Sequence, residues 1–160
     1  MTSSATATTL DDFVDAVLGA SRALVGVAAR SLAAAPEEIS LPQYRALVVL
    51  SSRGRARAQD LAALLEVTPS TGSRMVDRLV RKGLVHRSPV EGDRRAVDLE
   101  PTASGRALVD AVTRARRQEI ARIVRRVPVS VRPELVKALQ AFAEAAGEVP
   151  EQSWSQGWTE

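Results

Sequence analysis

The sequence predicts a mainly helical fold that carries one small β-hairpin, and three observations support this prediction. Apolar residues recur at three- and four-residue spacing through most of the 160 residues, as they do in amphipathic helices. Near the middle, two short strand-like runs flank a group of turn residues, which indicates a hairpin. Hydrophobic residues make up 45% of the chain but aromatic residues only 3%, so the core must consist of Ala, Val and Leu, as in closely packed helices.

The N-terminal third contains two predicted helices. Residues 1–9 are rich in Ser, Thr and Ala, and we expect them to be disordered. Residues 10–34 keep helical spacing of their apolar side chains throughout, which predicts one long helix. After a break at Ala35–Ser40, a second helix is predicted from Leu41 or Pro42 to Ser51. A loop or short strand follows, which carries Arg53, Arg55 and Arg57.

The next two predicted helices lie close together in the chain. Gln59–Leu65 forms a short helix, and only two residues separate it from Thr68. Thr68 is a favourable N-cap, and Pro69 occupies the first helical position, where its missing N–H group costs nothing. This second helix runs to Gly83, a residue type that commonly ends helices. Two helices joined by a turn of ~3–4 residues form a helix-turn-helix.

The second helix of this pair has one buried and one outward-facing set of side chains. The buried stripe consists of Met75, Val76, Leu79 and Val80. The polar set consists of Ser70, Thr71, Ser73, Arg74 and Arg78. Hydroxyl groups can reach phosphates or base edges of DNA, and arginine can bind guanine through two hydrogen bonds. Taken alone, the helix is equally well explained as a surface helix with a solvated charged face.

A β-hairpin follows the helix-turn-helix. Its strands are predicted at Leu84–Arg87 and Ala96–Leu99, and Ser88–Arg95 connects them with turn residues and a basic tip. A helix-turn-helix followed by such a hairpin, the wing, is a winged helix. It is predicted to occupy residues 41–101.

Residues 102–147 are predicted to form two further helices. The first begins at its N-cap, Thr102, and extends to about Val127; the second begins at Ser130. The tail, residues 148–160, carries both tryptophans, Trp154 and Trp158. Packing of these rings on the body or on a partner and simple disorder of the tail remain alternatives.

The charge distribution points to nucleic acid. The chain has a net charge of only +3, but the region from Arg53 to Arg95 holds ten basic and five acidic residues. The positive excess therefore lies on the predicted winged helix, as expected for a surface that contacts nucleic acid.

Other function classes lack the residues that they need. The chain has no cysteine, and His86 is its only histidine, so neither a thiol nucleophile nor a metal site is expected. It also has no Gly-rich phosphate-binding loop, and we expect neither an enzyme nor a cofactor. No uninterrupted apolar run approaches ~20 residues, so no membrane span is expected. Since the N-terminus does not resemble a secretory signal, we expect a cytoplasmic protein.

Ala58–Gly105 resembles the DNA-binding core of the MarR family of bacterial transcriptional regulators. The resemblance rests on three motifs, and it extends more loosely over residues 10–147. The motifs are the helix and strand TPSTGSRMVDRLVRKGLVHR, the wing motif Asp93-x-Arg95, and Thr102-x-x-Gly105 at the start of the next helix. Three positions depart from the family pattern: Glu66 in the turn, Gly72 in the second helix and Pro101 at the end of the wing.

The resemblance implies a homodimer that binds a pseudo-palindromic site on double-stranded DNA and acts as a repressor. Residues 10–34 and 102–147 would form the dimerisation helices. Ser70, Thr71, Ser73, Arg74 and Arg78 would enter the major groove. Arg94 and Arg95 would reach the minor groove or its phosphates, with Asp93 orienting an arginine. Arg55 and Arg57 are explained equally well as phosphate contacts and as a solvated turn.

The family also implies release from DNA by a small organic effector, often aromatic or phenolic and anionic. Such a ligand would bind where the terminal helices meet the winged helix. Arg22, Tyr44 and Arg45 are the candidate ligand-binding residues, because arginine can pair with a carboxylate and tyrosine can stack or donate. Each is also explained without a ligand, Tyr44 as a core residue and the arginines as solvated surface. The alternative function is a winged helix without a ligand response, either an architectural DNA-binding protein or a protein-interaction module.

Overall fold

The computed structural model describes residues 9–54, 56–90 and 93–148, without the side chains of residues 53, 90 and 93–96. The predictions for residues 1–8, for Arg55 and for the tail with Trp154 and Trp158 fall outside the described residues. Within these ranges, the predicted mainly helical fold with a small antiparallel sheet is confirmed. In chain order the elements are α1 (Leu10–Ala33), α2 (Leu41–Arg53), β1 (Ala56–Arg57), α3 (Ala58–Leu64), α4 (Pro69–Arg81), β2 (Val85–Val90), β3 (Asp93–Pro101), α5 (Ala103–Val124), a 3-10 turn (Val129–Val131) and α6 (Arg132–Ala145).

The helix starts follow from local sequence. Thr9 and Ser40 cap α1 and α2, and each forms a reciprocal capping box with the residue three positions later, Asp12 or Gln43. Hydrogen bonds from the hydroxyl and backbone N–H of Thr9 lower the pKa of the Asp12 carboxyl. Thr102 caps α5 as predicted, because its hydroxyl accepts a hydrogen bond from the N–H of Gly105 at 3.1 Å. These side chains satisfy N–H groups that have no partner inside the helix.

One hydrophobic core forms where α2, α3, α4 and α5 pack against the sheet. Its largest fully buried side chains are leucines, and Tyr44 is its only aromatic member among the described residues. Complete burial of one Leu or Val side chain contributes ~1.5–3 kcal/mol. As the low aromatic content of the sequence predicted, the core consists mainly of aliphatic side chains. The core leucines include Leu47, Leu50, Leu61, Leu79, Leu84 and Leu99.

The sheet is longer than the sequence predicted. Its strand order is β1-β3-β2, with both pairs antiparallel, and the β2–β3 register runs from Val85 opposite Pro101 to Val90 opposite Asp93. The predicted strands were therefore too short, and the predicted loop at 88–95 is largely strand. Pairing continues through Pro89 because β2 is an edge strand, where proline is tolerated, and the register shifts at Pro89/Val90. The ambiguous segment after α2 resolves into β1, which pairs with β3.

The C-terminal helices also begin and end differently from the prediction. α5 ends at Val124 rather than near Val127, and α6 begins at Arg132 after the 3-10 turn. Arg132 donates a hydrogen bond from Nε to the carbonyl oxygen of Val127 at 3.2 Å, which stabilises this connection.

α1 is attached to the body mainly through its C-terminal half. Val27 and Ser31 are buried there, and Arg30 forms an ion pair with Glu119 of α5 at 3.2 Å. Most of the remaining apolar side chains of α1 are exposed. By length and composition alone, α1 is apolar enough to cross a membrane, although charged residues such as Asp15 and Arg22 interrupt its apolar sequence.

Candidate nucleic-acid interface

α4 is the most sharply two-sided helix of the winged helix. Its buried side consists of Gly72, Met75, Val76 and Leu79. Thr68 caps it as predicted, since its hydroxyl accepts a hydrogen bond from the N–H of Thr71 at 3.3 Å. The helix ends before Gly83, whose φ of 68° places it in the left-handed region that glycine adopts readily.

The three positions that depart from the family pattern have distinct structural surroundings. A Cβ atom at Gly72 would lie only 2.7 Å from the Cβ of Ala62, so glycine here allows α3 and α4 to approach closely. Glu66, in the turn after α3, has a φ of 55°. This is the left-handed region, which Gly or Asn adopts more readily than Glu. Pro101 is buried at the end of β3, and its carbonyl oxygen accepts a hydrogen bond from Arg106 at 2.6 Å.

The predicted DNA-contacting residues of α4 all lie on its exposed side. They are Ser70, Thr71, Ser73, Arg74 and Arg78. Near the helix start, the hydroxyl oxygen of Thr68 lies 3.1 Å from that of Ser70 and 2.9 Å from that of Thr71. Arg74 donates from Nε to the carbonyl oxygen of Ser70 at 3.3 Å, so its guanidinium lies along the first turns of the helix. The structure thus brings the hydroxyls and one arginine to the same end of α4.

The charges on this side of α4 are unevenly compensated. Among the residues that the structure describes, no carboxylate lies within ion-pair distance of Arg74 or Arg78. Asp77, also on α4, pairs instead with Arg87 of β2. Lys82, just after the helix, donates to the carbonyl oxygen of Glu38 at 2.7 Å and lies 3.6 Å from the Glu37 carboxylate. Among the described residues, the positive charges of Arg74 and Arg78 are therefore not compensated by an acidic side chain.

The remaining predicted contacts that the structure describes lie on the sheet. Asp93, Arg94 and Arg95 begin β3 at the end of the hairpin farthest from the core, and their side chains lie outside the described residues. Arg57 is exposed on β1, pairs with Asp98 in the sheet register and precedes α3. Because β1 and β2 are the two edges of the sheet, Arg57 lies on the opposite edge from the β2 strand of the wing.

A separate cavity of about 510 Å³ lies between α2, Arg116 of α5, the turn after α3 and the residues that follow α6. Two of the three predicted ligand-binding residues, Tyr44 and Arg45, line it, whereas Arg22 does not. Tyr44 is buried, and its hydroxyl oxygen lies 3.2 Å from that of Thr113. Arg116 also lines the cavity, with its guanidinium carbon 5.3 Å from the centre of the Tyr44 ring.

Three functional candidates were missed from the sequence. Arg116 was not predicted as a site residue, although it follows the buried Val112 by one helical turn, a spacing that places both on one side of α5. Its Nε atom is buried and has no hydrogen-bond partner among the described residues. Asp77 and Arg87 were not considered because their contact joins two elements, and no local pattern indicates it.

Comparison with known proteins gives one consistent result. The model of the MarR family matches residues 39–97. The crystal structure of RV1404 from Mycobacterium tuberculosis is 46% identical, with a TM-score of 0.83 over 89% of this chain and 97% of that one. A MarR family protein from Bacillus stearothermophilus shares the fold at 20% identity, with a TM-score of 0.76 over 87% of this chain and 96% of that one.

A curated relative extends this result. The HTH-type transcriptional repressor NicR of Pseudomonas putida is 38% identical over 76 residues, which are 48% of each chain. The matched region spans only about half the length of the curated relatives. The region matched by the family model, residues 39–97, contains the helix-turn-helix and most of the wing.

Proposed function

The chain belongs to the MarR family of DNA-binding transcriptional regulators, which are not enzymes, and from this premise we propose that it is a homodimeric repressor released from its operator by a small organic effector. The single observation that carries the proposal is the exposed side of α4, where Arg74 and Arg78 have no acidic partner among the described residues. The relative named as a repressor supports the direction of regulation. A regulator of chromosomal genes acts in the cytoplasm, where we place this protein.

In the proposed complex, α4 lies in the major groove. Its hydroxyls at the helix start contact phosphates or base edges, and Arg74 and Arg78 bind bases. Arg94 and Arg95 contact the minor groove or its phosphates, and Asp93 orients one of them. Arg55 and Arg57 contact the DNA backbone beside the helix-turn-helix. Phosphate contacts fix the position on the duplex, whereas the contacts of α4 select the sequence.

Dimerisation would cover the apolar surface that one subunit leaves exposed. Phe13 on α1 and Phe142 on α6 are each 48% exposed, and other large apolar side chains of both helices are similarly exposed. A soluble protein rarely leaves a surface of this kind uncovered. We therefore propose that residues 10–34 and 102–147 form the dimer interface. Two-fold symmetry then requires half-sites about one helical turn, ~10 bp, apart.

The cavity beside Tyr44 is the proposed effector site. The Tyr44 ring offers a stacking surface, and Arg45 and Arg116 offer positive charge to an aromatic carboxylate or phenolate. The cavity lies beside α2 and α5, and α5 runs from the wing towards the proposed dimer interface. A ligand would release DNA only if it favoured a spacing of the two α4 helices that no longer fits the half-sites.

The alternative is a winged helix that binds DNA without sequence selection, or binds protein. The test is DNase footprinting and mobility-shift titration on the DNA upstream of the protein's own gene. We expect a protected pseudo-palindrome, bound at least 10³-fold more tightly than random duplex. Replacement of both Arg74 and Arg78 by alanine should abolish the footprint. Replacement of Arg81, an exposed arginine at the end of α4 that is not among the predicted DNA contacts, serves as the matched control. Equal affinity for all sequences would indicate an architectural protein.

A further inference from the structure

One ion pair joins α4 to the wing. Arg87 of β2 donates from Nη2 to Oδ1 of Asp77 on α4 at 2.5 Å. The two residues are ten positions apart in the chain and lie on different elements. Both are about half exposed, at 45% for the Arg87 side chain and 51% for that of Asp77. Because an exposed ion pair of this kind contributes little to folding stability, stability alone does not explain the contact.

The position of Arg87 suggests what the contact does. Two residues before it, Val85 is buried in the core and anchors β2. Two residues after it, Pro89 is exposed, and the β2–β3 register shifts at Pro89/Val90. Arg87 therefore lies where the wing leaves the body. A two-stranded hairpin has little stability of its own, so a contact at its base controls its direction.

A small change at this base has a large effect at the tip. Three residues of strand beyond Arg87 span ~10 Å. A tilt of roughly 10° would thus displace the tip by ~2 Å, enough to break a hydrogen bond of normal length. The proposed DNA contacts of the wing, Arg94 and Arg95, lie at this tip.

Asp77 is otherwise an unfavourable residue for this surface. It follows Ser73 by four positions and Arg74 by three, so it shares their side of α4. A carboxylate here would repel DNA phosphates unless its charge were compensated. The pairing with Arg87 provides that compensation and at the same time ties the helix to the wing.

We propose that Asp77 and Arg87 are positioning residues that set the angle of the wing against α4, so that both reach DNA together. This inference rests on the proposed function of α4 and the wing. Asp77→Asn is the diagnostic variant, because charge alone and positioning predict opposite results. Removal of a negative charge by itself would tighten DNA binding. Misalignment of the wing would weaken it.

The experiment measures the operator affinity of the full-length protein as a function of salt. We expect Asp77→Asn to weaken binding at least about fivefold near 0.15 M salt and to reduce the salt slope by roughly 0.9 for each phosphate that the wing no longer neutralises. Asp77→Glu, which keeps the carboxylate, should restore most of the affinity. The melting temperature should change by no more than about 4 °C, as expected for an exposed pair.

A second background separates positioning from direct contact. In a protein that already carries Arg94→Ala and Arg95→Ala, Asp77→Asn should no longer weaken binding, because the wing no longer reaches DNA; only the slight tightening from the lost negative charge should remain. Arg81→Gln is the matched control. Arg81 lies one turn after Asp77, and among the described residues its side chain bonds only the backbone carbonyl oxygen of Asp77. The effect of Arg81→Gln should therefore be equal with and without the wing arginines.

Three outcomes would overturn the proposal. The first is that Asp77→Asn binds the operator more tightly. The second is that Asp77→Asn weakens binding just as much when the wing arginines are absent. The third is that Asp77→Asn lowers the affinity only through a single base-pair position. The last two would mean that Asp77 itself contacts DNA. Failure of the unmodified protein to select any duplex would instead contradict the proposed function.

Discussion

Close approach of α3 and α4 depends on the absence of a single methyl group. Gly72 faces Ala62, and an added Cβ would lie 2.7 Å from the Ala62 Cβ. Helix propensity alone would favour alanine at this position by ~1 kcal/mol. The two effects oppose each other, and the packing effect is the larger because neither Cβ is the end of a flexible side chain.

Gly72→Ala should therefore destabilise the protein. Overpacking in a closely packed interior costs ~1–3 kcal/mol, which exceeds the gain in helix propensity. Urea unfolding should show a net decrease in stability of about 1 kcal/mol, and Ala62→Gly should cost less stability in the Gly72→Ala protein than in the unmodified one. Gly19→Ala in α1 is the control, since its Cβ would meet nothing closer than 3.9 Å. If both alanine variants are stabilised equally, the close approach of the helices does not limit this site.

Arg74 and Arg95 are expected to play different roles. Arg74→Ala should cost roughly 1–3 kcal/mol of binding to the preferred operator and relax the preference at one base pair of each half-site. Arg95→Ala should weaken binding evenly across sequences and reduce its salt dependence. Titrations against a set of single-base operator variants distinguish these patterns. If Arg74→Ala lowers the affinity for every variant equally, Arg74 contacts phosphate rather than a base.

At the scale of elements, the start of α4 is fixed by local chemistry. Thr68 supplies an acceptor for a backbone N–H that has no partner within the helix, and Pro69 follows at a position that requires no donor. Both features are visible in the sequence, as is the glycine after the C-terminal end. The ends of α4 were accordingly predicted to within two residues.

Thr68→Ala should lower the stability of the protein by about 1 kcal/mol, the usual effect of removing an N-cap hydroxyl. Thr68→Ser should be destabilised much less, because it keeps the acceptor. Urea unfolding of both variants provides the measurement. DNA affinity should fall only for Thr68→Ala, since the hydroxyls of Ser70 and Thr71 lie against that of Thr68. Equal stability of the two variants would show that the cap contributes nothing.

The wing and the cavity could be predicted less completely, and the reason is physical. Strand length depends on pairing between distant residues, and Pro89 continues its strand only because β2 lies at a sheet edge. The Asp77–Arg87 pair and the position of Arg116 over Tyr44 are contacts between elements. Periodicity within one segment identifies which residues are buried, but not which residues of another segment they meet.

At the scale of the whole molecule, the charges and the apolar surface lie in different regions. The basic excess falls between Arg53 and Arg95, whereas the large exposed apolar side chains lie mainly on α1, on α6 and near the end of α5. This separation suits a protein that binds DNA with one region and a second subunit with another.

The affinity for the operator should decrease steeply with salt. A dimer that neutralises several phosphates through two winged helices should give a logarithmic slope of roughly −0.9 for each of them. Titration between ~0.05 M and ~0.2 M salt should therefore weaken binding by ~10³-fold or more if about six phosphates are neutralised. Measurements with a single half-site should show a slope about half as large. A slope near zero would exclude binding through the basic region.

The oligomeric state tests the assignment of the apolar surface. Phe13→Glu combined with Phe142→Glu places charges on α1 and α6, at two positions that are each 48% exposed in the single subunit. If a second subunit covers these helices, burial of the new charges should prevent association, because an unpaired charge in a dry interface is very unfavourable. Light scattering should then give the 17.1 kDa monomer instead of a dimer.

Val97→Glu is the matched control for this experiment. Val97 is 40% exposed but lies on β3 rather than on a terminal helix, so this variant should remain a dimer. The monomeric variant should retain its helical circular dichroism, because the core around Leu47 and Leu79 lies within one subunit. It should also lose the tight binding of the full operator that comes from engaging two half-sites at once. A dimer that survives both glutamates would show that the subunits associate through another surface, and a monomeric unmodified protein would exclude the two-fold model altogether.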